Sequence, residues 1–380
     1  MVSRRGRFKL SRLGEVFDTV KPFTVGLEEE VMLLDPETLE LLARGPELLE
    51  RLPADGRFKL EMPASQLELL TSPRPDVPAA VAELREARRA LLAGLGGLAR
   101  PAVAGVHPFS PPEGALNPGP RYAHTEREYG AVARRQLVCA LQVHVAVGGA
   151  ERTLAVYNGL REQLPLLAAL AANAPVYEGR DTGLASVRPK IAELLPRQGV
   201  PPALGSWEEL ERELRWGKAA GSVPEPSSWW WELRPHLDFG TLELRVPDAQ
   251  TTLADAGAIA AVAQALVAWL AEGHARGERD EPVPGWRIEE NRWAACRHGV
   301  QGRFADLRSG EVKPARDCLY ALLDELEPVA ARLGSAAELG HARRLVEENG
   351  ALRQRAVAAE AGARGLAVWL AKRFEEDVAG

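Results

Sequence analysis

The sequence predicts an α+β protein built on an antiparallel sheet, with helices packed behind it. Three observations carry this expectation. Strand-like stretches crowd between residues 23 and 250, the last third (313–378) is helical in its periodicity, and strand–helix–strand alternation is scarce.

The elements follow in order. Phe23–Leu34 mixes apolar residues with three consecutive glutamates and ends at the turn Asp35–Pro36. Glu47–Leu52 predicts a short helix. Phe58–Thr71 is extended in parts, and Pro63 forbids a continuous helix there. Val77–Leu98 has apolar residues at helical spacing. Ala102–Val106 predicts a short strand, and Gln136–Val147 a buried strand with polar guests. Arg152–Ala172 predicts a helix, and Ala174–Gly205, rich in Pro and Gly, a long functional loop. Trp207–Leu214 is helical, Trp229–Val246 holds two short strands around Asp238-Phe239-Gly240, and Ala254–Glu272 is an apolar helix. Lys313–Val378 predicts two or three amphipathic helices, packed on the core or on a second copy of the chain. With no repeat and no long linker, residues 1–380 read as a single domain.

Composition excludes several classes. A hydrophobic fraction of 46% with 26% charged residues excludes a disordered or fibrous chain. A net charge of −6 supplies no global basic field for nucleic acid. Cys139, Cys296 and Cys318 are widely spaced and form no C-x-x-C, which argues against a disulfide framework or thiolate metal site and for a reducing, cytoplasmic compartment. Met1–Lys9 is basic, but no apolar run follows, so it does not read as a secretory signal. Ala256–Ala271, interrupted by Gln264, is too short to span a bilayer comfortably and reads as a buried helix. Only seven lysines stand against 40 arginines. Codon bias explains most of these, including Arg85, Arg88 and Arg89 on a solvated helix. Anion recognition is the alternative for a few.

Residues i and i+2 of a strand share a face. Four stretches place chemically useful pairs at that spacing: Glu28 with Glu30, Gln66 with Glu68, Gln142 with His144, and Glu243 with Arg245. Leu242, Leu244 and Val246 point the other way. One face of the sheet is therefore apolar, and the other gathers carboxylates that repel unless a cation neutralises them. Hard divalent cations such as Mg²⁺ take oxygen ligands and usually also bind substrate phosphates. Neither a P-loop nor a dinucleotide-binding glycine motif is present. Arg188, Arg234 and Arg245 are candidates to hold a substrate carboxylate or a transferring phosphoryl group.

These residues carry a family resemblance. FTVGLEEEVMLLDPET (Phe23–Thr38) resembles the opening motif of the type 2 glutamate–cysteine ligases, specifically the YbdK-type carboxylate–amine ligases, and SQLELLTSP (Ser65–Pro73) resembles their second carboxylate motif. GVHPF (Gly105–Phe109), QVHVAVG (Gln142–Gly148), YEGRDTGLASVRP (Tyr177–Pro189), ELRPHLDFGTLELRVPDAQ (Glu232–Gln250) and ENRWAACRHG (Glu290–Gly299) follow in family order. The resemblance implies a glutamine-synthetase-like fold, a curved antiparallel sheet whose concave polar face holds Mg²⁺ and ATP. It implies that a small-molecule carboxylate, that of glutamate in the named activity, attacks the γ-phosphate of ATP, and that an amine traps the acyl phosphate as an amide. It implies Glu28, Glu30, Glu68, His144 and Glu243 as metal ligands, Gln66, Gln142 and Arg234 at the nucleotide, and Arg188, Arg234 and Arg245 at phosphate or substrate carboxylate. Two positions depart from the pattern. Gln142 stands where many relatives have histidine, and Ala64 where some have a further glutamate, with Glu61 the nearby substitute. The competing expectations are a guanidino-kinase-like phosphotransferase on the same fold, for which Cys296 is the one thiol to consider although it reads first as a buried structural one, and a non-catalytic nucleotide-binding protein.

Overall fold

In the computed structural model, which describes residues 13–278 and 281–379, one seven-stranded antiparallel sheet organises the chain among the described residues. Its strands are β1 (Val25–Leu34), β2 (Phe58–Leu60), β3 (Gln66–Leu70), β4 (Arg100–Ala102) and β5 (Leu141–Ala146), joined by the hairpin pair Leu233–His236 and Thr241–Leu244. Two small hairpins lie apart from it: β6 (Val176–Tyr177) with β7 (Arg180–Asp181), and β10 (Arg303–Ala305) with β11 (Val312–Pro314). Chain order therefore makes the sheet hairpin β8 (Leu233–His236) and β9 (Thr241–Leu244). The order across the sheet is β2-β3-β1-β5-β9-β8, with β4 also on β1. Long β1 sits centrally: one side pairs with β3, and the other is shared by β5 against its first half and β4 against its second. Pro235 is tolerated in β8 because β8 is an edge strand.

The helices are α1 (Glu15–Asp18), α2 (Gly45–Leu49), α3 (Val77–Leu95), α4 (Pro120–Tyr129), α5 (Ala131–Arg134), α6 (Ala150–Leu170), α7 (Arg188–Ala192), α8 (Trp207–Ala219), α9 (Leu253–Ala275), α10 (Gly285–His298), α11 (Ala315–Arg332), α12 (Ala336–Glu347) and α13 (Gly350–Ala379), the last interrupted at Gly362. Leu27, Val31, Leu67, Leu69, Val143 and Leu242 project from the apolar face into a core shared with α3, α6 and α9. Helix α9 is long and apolar enough to cross a membrane by length and composition, yet most of its residues are buried inside the protein. It begins at Thr252, whose side chain caps Asp255 N–H. Asp76 caps α3 in the same way, and Gly96 ends α3 in the left-handed region.

Several expectations need correction. The strand expected at Ala102–Val106 forms earlier, at Arg100–Ala102, where β1 offers free pairing groups; Val106 makes only an isolated bridge to Val138. The expected loop at Ala174–Gly205 contains the β6–β7 hairpin, turned by Glu178 and Gly179 at positive φ, and the short helix α7. Arg88 is fully buried, not solvated. It donates to both oxygens of Glu29 at 2.8 and 2.5 Å and to Asp377 at 3.0 Å, while Arg85 and Arg89 reach the carbonyls of Asp377 and Val378. The C-terminal helices pack on the chain's own core, with Leu370 and Phe374 fully buried. The basic stretch Met1–Lys9 lies outside the described residues.

Candidate active site

Antiparallel register brings the polar pairs into one row. Glu30 lies opposite Glu68, Glu28 opposite Gln142, His144 opposite Glu243, and Glu243 opposite Arg234. The period-2 pattern read from four separate segments thus becomes a continuous polar face across β3, β1, β5, β9 and β8. That face floors a cleft of about 910 Å³, within the range of small-molecule sites. Glu28, Glu30, Gln66, Glu68, Gln142, Arg188, Arg234 and Arg245 all line it. His144 and Glu243 sit just beneath, buried and bonded to lining residues.

The expected five-ligand metal set divides into three environments. In the first, Glu30, Glu68 and Glu61 bring carboxylate oxygens within 4.8 Å of one another. Burial pushes the Glu30 carboxyl up to about 8, and the neighbouring Glu61 adds to this. Burial and the charges of Glu28 and Glu61 push Glu68 well above the carboxylate range. Backbone Ala140 N–H donates to Glu30 at 2.6 Å and the Gln142 amide at 3.1 Å, while Lys59 pairs with Glu68 at 3.7 Å. This all-oxygen, mutually repelling donor set fits a hard divalent cation. In the second environment, Glu28 lies 3.4 Å from His144 Nε2, a nitrogen that makes no hydrogen bond. Burial opposes ionisation of Glu28, but the imidazole outweighs it and holds the carboxyl at about 2. His144 Nδ1 is 3.0 Å from the Thr241 hydroxyl, which orients the ring. In the third, Glu243 is fully buried with one oxygen on Arg234 and the other on Arg245. Despite burial, the two guanidinium groups hold it well below the usual range. Glu243 thus anchors two arginines in this structure.

The arginines are equally constrained. Arg245 donates to Gln142 at 2.5 Å, so Gln142 relays between Arg245 and Glu30. Arg234 also donates to Ser227 O at 2.6 Å, which ties the segment before Trp229 to the sheet. Arg188 pairs with buried Asp248 at 2.7 Å and donates to Val246 O at 2.5 Å. The Gln66 amide is buried in the cleft wall, and neither its oxygen nor its nitrogen has a partner.

Sequence reasoning misses Arg121 and Tyr122 on α4, Trp230, and the stacked pair His236–Phe239 (centroids 4.2 Å apart), all of which line the cleft. For α4 the signal is thin: Gly-Pro at its start and Gly130 at its end. Cys296 is buried and its thiol is pushed up to about 12, chiefly by burial, so it has no reactive-thiol character.

The fold is shared with solved ligases. The Francisella tularensis glutamate–cysteine ligase in complex with AMP superposes with a TM-score of 0.69 at 13% identity, over 93% of this chain and 88% of that one. A bifunctional glutathione synthetase from Pasteurella multocida gives 0.62 at 16% identity, over 97% of this chain and 54% of that one. In sequence, a Rubrobacter xylanophilus protein named "Putative glutamate–cysteine ligase 2-3" is 41% identical over 357 residues, covering 91% of this chain and 95% of its own. A Ruegeria pomeroyi protein named "Putative glutamate–cysteine ligase 2" is 35% identical over 354 residues, with 91% of each chain covered. Residues 24–367 match glutamate–cysteine ligase family 2. The chain belongs to that family.

Proposed function

We propose that this protein is a Mg²⁺- and ATP-dependent carboxylate–amine ligase of the YbdK-type branch, a single catalytic domain working in the cytoplasm. The observation that carries the reading is the convergence of Glu30, Glu61 and Glu68 at the floor of a cleft that arginines also line. Glu30, Glu61 and Glu68 would hold a divalent cation, with Glu28 and His144 Nε2 as neighbouring donors. When bound, Mg²⁺ supplies charge neutralisation for the triphosphate.

The protein's own part is positioning and charge. Arg245 and Arg234 share the single carboxylate of Glu243, so these three groups together carry one net positive charge toward an anionic substrate. The carboxylate of glutamate attacks the γ-phosphorus and ADP leaves. An amine then attacks the acyl carbon and releases phosphate, so no nucleophilic side chain is required. Glutamate–cysteine ligation is one such reaction, and a weak one in this reading. The test is incubation with ATP, Mg²⁺, glutamate and a panel of amines, with ADP and amide followed by mass. Amide in step with ADP is expected, and Glu30→Gln should lower turnover at limiting Mg²⁺ by about 100-fold or more. Tight ATP binding without turnover on any mixture would instead fit a nucleotide-binding protein.

A further inference from the structure

Among the described residues four arginines line the cleft, and three are already engaged: Arg188 by Asp248, and Arg234 and Arg245 by Glu243. The fourth, Arg121, is exposed and has neither a carboxylate nor a hydrogen-bond partner among the described residues. Its nearest aromatic contact places the guanidinium 6.0 Å from the Tyr122 ring. It occupies the first turn of α4, which carries no acidic residue to balance it and where the helix dipole is itself positive. A cation placed there is destabilising unless an anion arrives.

Its neighbours say where that anion sits. The Tyr122 hydroxyl donates to Leu60 O at 2.9 Å, and Asn117, just before α4, donates to Glu61 O at 2.6 Å and Pro63 O at 3.1 Å. These bonds fasten the start of α4 to the loop that carries Glu61. In the same wall, the buried Gln66 side chain presents an amide with no partner at either atom. The helix itself is bracketed by Gly119 and Gly130, both at positive φ, a backbone that glycine adopts at little cost.

We propose that Arg121 is a catalytic residue that grips the phosphoryl oxygens of the metal-bound nucleoside triphosphate from α4, beside the Glu30–Glu61–Glu68 cluster. The inference rests on the ligase reading and names a residue of that same site. Arginine's planar fork suits two-point contact with a phosphoryl group, and a guanidinium supplied at a transferring phosphoryl raises its rate by about 10³–10⁵-fold.

The test compares wild type with Arg121→Gln and Arg121→Lys, and with Arg127→Gln on the same helix as a control. Calorimetry measures binding of adenosine, Mg·ADP and a non-hydrolysable Mg·ATP analogue, and ADP release gives kcat. Arg121→Gln should lower kcat at least 100-fold and weaken the triphosphate analogue at least 10-fold, leaving adenosine binding unchanged and the melting temperature of the free protein no lower than wild type. Arg121→Lys should recover part of the loss, and Arg127→Gln should match wild type. If Arg121→Gln binds and turns over like wild type, the assignment is wrong. It is equally wrong if the loss falls on the KM for glutamate alone, which would place Arg121 on the substrate carboxylate. If wild type itself binds no Mg·nucleotide, the ligase reading fails first and takes this assignment with it.

Discussion

The paired carboxylates are legible in the sequence because a strand's period of two fixes which side chains share a face. Glu28 and Glu30, Gln66 and Glu68, and Gln142 and His144 are each placed by spacing alone. What the spacing does not contain is the partner each group finds across the sheet. Glu243 carries the same signal as Glu30, yet it meets Arg234 and Arg245 and becomes an anchor. Glu61 lies outside any regular strand pattern, after β2 and before Pro63, and reaches the cluster because Asn117 clamps its backbone. Outside the cleft, His107 shows how a single buried residue sets pH dependence. Its Nε2 lies 2.8 Å from Leu39 O, and Phe109 N–H donates to its Nδ1 at 3.2 Å, so the neutral ring uses both nitrogens. Burial pushes its pKa down to about 4. The unfolded chain binds this proton near its ordinary value and the folded chain does not. His107 therefore contributes its full stability above pH 6.5 and loses it as pH falls toward 4, at a limiting slope of about 1.4 kcal/mol per pH unit. Denaturant titrations at pH 7.5 and pH 5 should show that His107→Gln is less acid-sensitive than wild type. Equal losses in the two proteins would contradict this.

At the scale of elements, long helices with apolar periodicity are read correctly from sequence, as α3, α6 and α9 show, and α3 and α9 also carry side-chain caps at Asp76 and Thr252. Elements whose form depends on distant partners are not. Helix α4 buries only Thr125, so it carries no apolar stripe to announce it, and α10 is polar through much of its length. The β8–β9 hairpin is legible from Asp238-Phe239-Gly240, and the structure explains the glycine. Gly240 has φ 67°, and a Cβ there would lie 2.6 Å from Val20 Cγ1 and 2.9 Å from Val16 O. Gly240→Ala should therefore destabilise the protein by more than about 1 kcal/mol. Because the hairpin seats Thr241 against His144, it should also lower turnover. A variant with unchanged melting temperature and rate would show that the hairpin does not position this side of the site.

For the whole molecule, strand β1, which carries Glu28 and Glu30, is braced from behind by the other end of the chain. Glu29, between Glu28 and Glu30, turns into the core and meets Arg88 of α3, which also holds Asp377 of α13; Asp377 in turn accepts from Leu253 N–H at the start of α9. Sequence alone gives no hint of a buried network joining residues 29, 88 and 377, since 59 residues separate the first two and 289 the last two. Arg88→Ala leaves the buried Glu29 carboxylate unpaired and should cost about 3–5 kcal/mol by chemical denaturation. A loss below about 1 kcal/mol would contradict the bracing role. The apolar face of the sheet, its helices and this brace together hold a polar face whose work we read as activating a carboxylate with ATP. Activation by ATP would move a single carboxylate oxygen atom onto phosphate. With glutamate labelled by ¹⁸O in its carboxylates, Mg²⁺, ATP and an accepted amine, attack on the γ-phosphorus must carry one labelled oxygen into the inorganic phosphate for every amide formed. Mass analysis of the phosphate should show that transfer, and amide or ADP formed with unlabelled phosphate would contradict the account.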